Sequence, residues 1–179
     1  PGGCGKTRLA VAVANQVADK YEDGAVWVDL ASIADESLVS RAVATALDVK
    51  EQPSRSVREC LGDFLSEKRI LLILDNCEHL REGCQQLITT LLANTTTQIL
   101  TTSREPLGVR GEKLFPVPPL SLPPRNNHLD NLAGISQYEA IQLFVERARL
   151  ILPFFEVTAD NAGTIIKICH QLHGLPLAI

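Results

Sequence analysis

The seven residues Pro1-Gly2-Gly3-Cys4-Gly5-Lys6-Thr7 constrain this chain more than any other stretch. In the pattern glycine, four residues, then Gly-Lys-Ser/Thr, backbone N–H groups ring phosphates, the lysine ammonium reaches the β- and γ-oxygens, and the hydroxyl ligates magnesium. Gly2, Gly3, Cys4, Gly5, Lys6 and Thr7, with the adjoining Arg8, are therefore candidate nucleotide contacts, and Thr7 a candidate magnesium ligand. The opening glycine of the pattern falls one position before Pro1. The expectation is a piece cut inside the loop, its supporting strand missing. A plain glycine-rich turn is the alternative, since glycine and lysine are common in loops. The next ten residues favour nucleotide: Leu9, Ala10, Val13, Ala14 and Val17 recur at helical spacing, predicting a helix whose N-terminus points back at the loop.

An aspartate ending a buried strand is the natural partner of such a loop, because it holds magnesium from the far side in a water-poor setting. Ile70-Leu71-Leu72-Ile73-Leu74 is the most hydrophobic stretch and lacks period-2 alternation, which predicts a central parallel strand buried on both faces. Asp75 ends it. A strand-end aspartate that merely caps the next helix is the alternative, outweighed by the upstream Gly5-Lys6-Thr7. Hydrolysis also needs a group that orients or deprotonates water. Asn76 can position a water but cannot take its proton. Glu78 is the nearest carboxylate, with base catalysis and stabilisation of a helix N-terminus equally open. Arg104 comes after the strand Thr97–Thr102, where its guanidinium can sense a γ-phosphate or pair with Glu105. The polar strand end Thr101-Thr102-Ser103 favours sensing.

Strands and helices alternate along the first two thirds. Ala25–Leu30 reads as a short strand, Leu38–Leu47 and Leu61–Leu65 as parts of amphipathic helices, the second opened by a Ser56–Glu59 capping box, and Glu78–Leu92 as the helix after Asp75. Lys113–Val117 offers an edge strand. The fold class is α/β: a P-loop NTPase parallel sheet sandwiched by helices, followed by the start of a small helical domain. Five of the ten prolines lie between 116 and 124, so the expected division is an α/β domain at 1–118, a proline-rich linker at 119–134 and an incomplete helical domain at 135–179. In the last, a Ser136–Glu139 capping box opens one helix, and Ala162, Ile165, Ile166, Cys169 and Leu172 mark another.

Composition removes some classes. A net charge of −4 leaves no basic stripe for nucleic acid, so DNA is expected to be reached only through a domain outside this piece. Five cysteines without paired short spacings argue for reduced thiols and against zinc. No apolar run reaches membrane-spanning length, and a cytoplasmic setting is expected.

Gly-Gly-Cys-Gly-Lys-Thr-Arg-Leu-Ala (2–10), Leu-Ile-Leu-Asp-Asn-Cys-Glu-His-Leu (72–80), Leu-Thr-Thr-Ser-Arg-Glu-Pro-Leu-Gly-Val (100–109) and His-Gly-Leu-Pro-Leu-Ala-Ile (173–179) occur in that order. Together they resemble the NB-ARC-like ATPases of the STAND signalling class, in the branch found in large bacterial regulators of the LuxR and SARP types. The resemblance covers nearly the whole chain. It implies a Walker A at Gly5, Lys6 and Thr7, a Walker B at Asp75 with Mg on Thr7 and Asp75, a sensor arginine at Arg104, and a GLPLA motif at 174–178 whose Pro176 packs on the adenine side. It also implies a slow ATPase that rests around ADP and self-associates when ATP and an inducer open it; with Glu78 added from the reading of its position, the candidate catalytic set is Lys6, Asp75, Glu78 and Arg104. The expected function is an ATP/ADP switch of a multidomain signalling or transcription-regulatory protein, hydrolysing slowly and turning its domains. The alternative is a regulatory module that binds nucleotide without hydrolysing it, motivated by Asn76.

Overall fold

A computed structural model describes residues 2–124 and 132–179. The chain divides into two compact units, Lys6–Phe115 and Pro1–Gly5 with Pro116–Ile179.

The first unit is built on a parallel sheet of three strands in the order β1 (Ala25–Asp29), β2 (Leu71–Asp75), β3 (Gln98–Thr101). Every residue of β2 is buried, as its unbroken apolar run predicts for a strand between two neighbours and covered on both faces. Its side chains alternate. Leu71 and Ile73 pack with Ala14 of α1 (Lys6–Val17), while Leu72 and Leu74 join the main core with α2 (Val39–Ala46), α3 (Val57–Ser66) and α4 (Arg81–Asn94). The sheet is thus flanked by helices on both faces. Each crossover returns β-strand to parallel β-strand through helix, the connection that parallel pairing requires.

Local chemistry sets the helix ends. Ser56 and Glu59 form the predicted capping box: the Ser56 hydroxyl accepts from Glu59 N, and the Glu59 carboxylate accepts from Ser56 N at 2.8 Å. Asp35 accepts from Ser37 N at 2.8 Å and opens a single 3-10 turn before α2.

Several sequence expectations are corrected. On α1 only Ala10 and Ala14 are buried, whereas Leu9 and Val13 stand 39% and 37% exposed. The apolar stripe is therefore wider than the face that packs. The helix expected from Glu78 starts at Arg81, because Cys77–His79 form a 3-10 turn first. Residues 113–117 form no strand. Pro116 lacks the N–H that a ladder needs, and Leu114 and Phe115 have no core behind them and are exposed.

The second unit contains α5 (Leu132–Ile135), α6 (Glu139–Ile151) and α7 (Ala159–Gln171), around a core of Ile135, Ala140, Ile141, Ala162, Ile165 and Cys169. Leu120 and Leu122, from the stretch expected as a linker, pack on that core. Residues 125–131 of that stretch lie outside the described residues. The capping partner of α6 is not Ser136. Ser121, eighteen residues upstream, accepts from Glu139 N at 3.1 Å while its own N–H donates to the Glu139 carboxylate at 3.0 Å. The reciprocal pair that usually closes within four residues closes here across the chain.

Candidate functional site

Asp75 is the centre of the site. It ends β2 at 2% exposure, a depth at which a carboxylate needs donors around it. Three side chains supply them. The Thr7 hydroxyl, in the first turn of α1, lies 3.0 Å from Oδ1 and 3.1 Å from Oδ2. The Thr102 hydroxyl, just past β3, donates to Oδ1 and accepts from the Asn76 backbone N–H at 3.1 Å. The Asn76 amide donates to Oδ2 at 3.1 Å. Sixty-eight residues separate Thr7 from Asp75 in sequence, and β2 beside α1 brings them together.

The pair has the chemistry of a magnesium site. A hydroxyl and a carboxylate are hard oxygen donors, the type that Mg²⁺ takes from protein while phosphates and water complete its shell. Thr7 and Asp75 fit that role.

Asn76 has left-handed backbone, φ 62°, at the point where the chain leaves β2. Asparagine tolerates this conformation better than most residues, so it has a backbone reason to stand there as well as a chemical one. Its amide also donates to Asp29 Oδ1 at 3.0 Å. Asp29 ends β1 in register with Asp75, and sequence reading passed it over. Its carboxyl is held below the usual aspartate range, first by the Ala31 N–H and then by the Asn76 amide.

Glu78 and Arg104 meet each other. The Arg104 Nε lies 2.9 Å from Glu78 Oε1, and Glu78 Oε2 is buried without a hydrogen-bond partner among the described residues. The bland partner foreseen for Arg104, Glu105, is taken by Arg81 at 2.9 Å. Glu78 precedes α4 and so lies outside the helix it was expected to open. It lines a cavity of about 450 Å³ with Glu36, His79, Arg81 and Glu82.

Of the remaining candidates, Arg8 is exposed on α1. Gly3 and Gly5 have φ of 77° and 88°, which side-chain-bearing residues rarely adopt. Gly2, Gly3, Cys4 and Gly5 group with the second unit, as does Pro176. There the Leu177 N–H donates to Gly3 O at 3.2 Å, tying the residue after Pro176 to the glycine run. Cys77 is fully buried; the neighbouring Cys84 thiol and burial push it well above the ordinary thiol range, so it stays protonated. All five cysteines are buried, and none forms a disulfide. No cluster of metal-ligating side chains of the His/Cys/Asp/Glu type occurs among the described residues.

The NB-ARC domain family matches residues 1–107. The chain belongs to the NB-ARC family. NB-ARC membership fits a parallel sheet flanked by helices, and it makes the domain a nucleotide-binding one. Among similar proteins, one from Mycobacterium tuberculosis (strain ATCC 25618 / H37Rv) and one from Mycobacterium bovis, each bearing the name "Putative HTH-type transcriptional regulator", are 40% identical over 179 residues. These alignments cover 99% of this chain and 18% of the relatives. An uncharacterized Mycobacterium tuberculosis protein is 39% identical over 180 residues, covering 42% of its own length. This NB-ARC chain therefore spans less than half of the relatives it matches. No helix among its described residues is long and apolar enough to cross a membrane.

Proposed function

We propose that this NB-ARC domain is the ATP/ADP-operated switch of a larger transcription regulator. Lys6 binds the β- and γ-phosphates, the loop N–H groups of Gly2, Gly3, Cys4 and Gly5 ring them, and Thr7 and Asp75 hold magnesium. Magnesium supplies charge neutralisation at the phosphates, and Arg104 reads the γ-phosphate. Arg8 contacts the nucleotide beside the loop, and Pro176 packs on its adenine side. ATP is hydrolysed slowly, the two units turn relative to each other as output, and the intact protein self-associates in response to an inducer. DNA is contacted by a part of the protein beyond these residues, a reading supported by the HTH-type name of the relatives.

The contact between Thr7 Oγ1 and Asp75 carries this proposal. Two candidate magnesium ligands, sixty-eight positions apart in sequence, meet within hydrogen-bond distance in the first unit. The test uses the full-length protein with Lys6→Ala and Asp75→Ala. Nucleotide binding weakened by the first, and magnesium-dependent turnover abolished by the second, are expected. Unchanged binding and turnover in both would overturn the reading.

A second reading has a specific observation behind it. Asn76 replaces an acid, Glu78 is tied to Arg104, and Asp29 is tied to Asn76, so each of the two carboxylates near Asp75 already holds another bond. A module that binds nucleotide and does not hydrolyse it would show no product in a single-turnover experiment, and Glu78→Gln would leave that outcome unchanged.

A further inference from the structure

Resting on the proposed magnesium site, the geometry points to Asp29 as a positioning residue of the cation site: it fixes the Asn76 amide and, through it, the carboxylate of Asp75. Asp29 and Asp75 end neighbouring parallel strands in the same register. Two carboxylates so placed repel unless something lies between them. Asn76 lies between them. Its amide nitrogen gives one bond to Asp29 Oδ1, at 3.0 Å, and one to Asp75 Oδ2, at 3.1 Å. With both amide hydrogens directed at carboxylates, the Asn76 side chain has one orientation, its carbonyl oxygen turned away from both acids. Reversal would set that oxygen against two anions.

The bridge is held at its other end as well. Asp29 Oδ1 accepts the Ala31 N–H at 2.9 Å, and the Leu30 N–H donates to Asp75 O at 3.1 Å, so the turn after β1 is anchored to the end of β2. Asn76 starts from left-handed backbone, so its side chain leaves the strand end in a direction an ordinary residue would not take. The carboxylate meant for the cation is thus clasped by the Thr7 and Thr102 hydroxyls and by an amide that Asp29 orients. Partners behind first ligands commonly set metal affinity by orienting them. Sequence alone hides this relation, because Asp29 lies forty-seven positions from Asn76 and ends a strand whose exposure pattern looks ordinary.

The test is a magnesium titration of ADP binding by the full-length protein, followed with a fluorescent ADP analogue, with a parallel series in EDTA. Asp29→Ala is expected to raise the magnesium concentration at half-effect about 10-fold, the low end of what such partners contribute, and to leave the EDTA affinity unchanged. Asp29→Asn keeps a carbonyl acceptor for Ala31 N and the Asn76 amide and is expected to stay within about 3-fold of the parent by the same scale. Asn76→Ala should reproduce the Asp29→Ala shift, and the double substitution should add nothing, because the two act in series. An unchanged magnesium midpoint in Asp29→Ala, an equal loss in EDTA, or Asp29→Asn falling with Asp29→Ala would each overturn the assignment. Asp75→Ala separates the two levels. If it leaves magnesium dependence intact, the magnesium reading fails; if it removes that dependence while Asp29→Ala does not shift it, only the role of Asp29 fails.

Discussion

Arg104 Nε lies 2.9 Å from Glu78 Oε1, so the candidate sensor and the candidate base occupy each other. The arginine side chain is 62% exposed and the glutamate 22%, so the pair contributes at most about 1 kcal/mol, as half-exposed ion pairs do. In the proposed sensing role of Arg104, a γ-phosphate would compete with Glu78 for the guanidinium. Glu78→Gln is expected to raise affinity for a non-hydrolysable ATP analogue by up to about 5-fold, the equivalent of that 1 kcal/mol, and to leave ADP affinity unchanged. Arg104→Ala should erase the preference for the ATP analogue. Equilibrium binding of both nucleotides to the full-length variants checks this, and an ADP affinity that moves in step with the ATP analogue counts against it.

Gly83, on α4, has a packing reason to be glycine. A Cβ built there would meet Glu36 O at 2.5 Å and Val39 Cγ2 at 3.1 Å. Alanine in a helix interior normally gains about 0.5–1 kcal/mol over glycine. Here the helix lies against backbone, which cannot swing aside as a side chain can, and overpacking of this kind costs about 1–3 kcal/mol. Gly83→Ala is therefore expected to be net destabilising. The midpoint of thermal unfolding should fall, and a rise would show that α4 shifts freely away from the turn at Glu36.

The parts legible in sequence were those with local or strongly patterned causes. The run before Asp75 declared a central strand because an apolar stretch that short, bounded by polar residues, suits a buried strand better than a helix, and Ser56–Glu59 declared a cap because both halves lie within one turn. What escaped depends on register or on distant backbone. Asp29 gains its place only when β1 and β2 pair with residue 29 beside residue 75. Ser121 caps α6 from eighteen residues away, so the nearer Ser136 was the natural but mistaken choice. Leu9 and Val13 match helical periodicity, yet periodicity reports which residues share a face and not how much of that face is covered. Left-handed Asn76 was visible as a missing acid, and its backbone role was not.

The cap of α3 gives a pH signature. The Glu59 carboxyl is lowered from its ordinary value, first by the Ser56 backbone N–H and then by the Ser56 hydroxyl. A depressed folded-state value means that the stabilisation is present above the unfolded value of about 4.3 and is lost as pH falls through the folded one. Ser56→Ala is expected to cost about 1 kcal/mol near neutrality, the usual worth of a serine N-cap. It should also shrink, without removing, the part of the acid limb that belongs to Glu59, because the backbone N–H at position 56 still donates to the carboxylate. Glu59→Gln retains an acceptor for Ser56 N and should lose that part alone. Urea unfolding between about pH 3 and 7 measures both, since this range spans the unfolded carboxylate value. Glu59→Gln with an acid limb identical to the parent would contradict the assignment.

Gly174 joins two constraints at one position. It lies just past α7 with φ 64°, next to His173 at φ 54°, and its Cα approaches the backbone of Leu120 so closely that an added Cβ would collide with Leu120 O. The approach is not incidental: the Leu120 N–H donates to Gly174 O at 2.9 Å, and His170 Nε2 lies 2.7 Å from Pro123 O. The proline-rich stretch is thereby fastened to the end of α7 by a backbone bond at 174, where the close approach needs glycine, and by the His170 side chain. Left-handed backbone costs an alanine roughly 1–2 kcal/mol, and displacing the strap adds a comparable amount. The same turn carries Leu177, whose N–H holds Gly3 O at 3.2 Å. Gly174→Ala is therefore expected to do two things at once in the full-length protein: lower the unfolding midpoint of the helical unit, and increase hydrogen exchange at the amides of Leu120 and Leu177. Exchange unchanged at Leu120 would mean that the strap is held by its apolar contacts and not by this glycine.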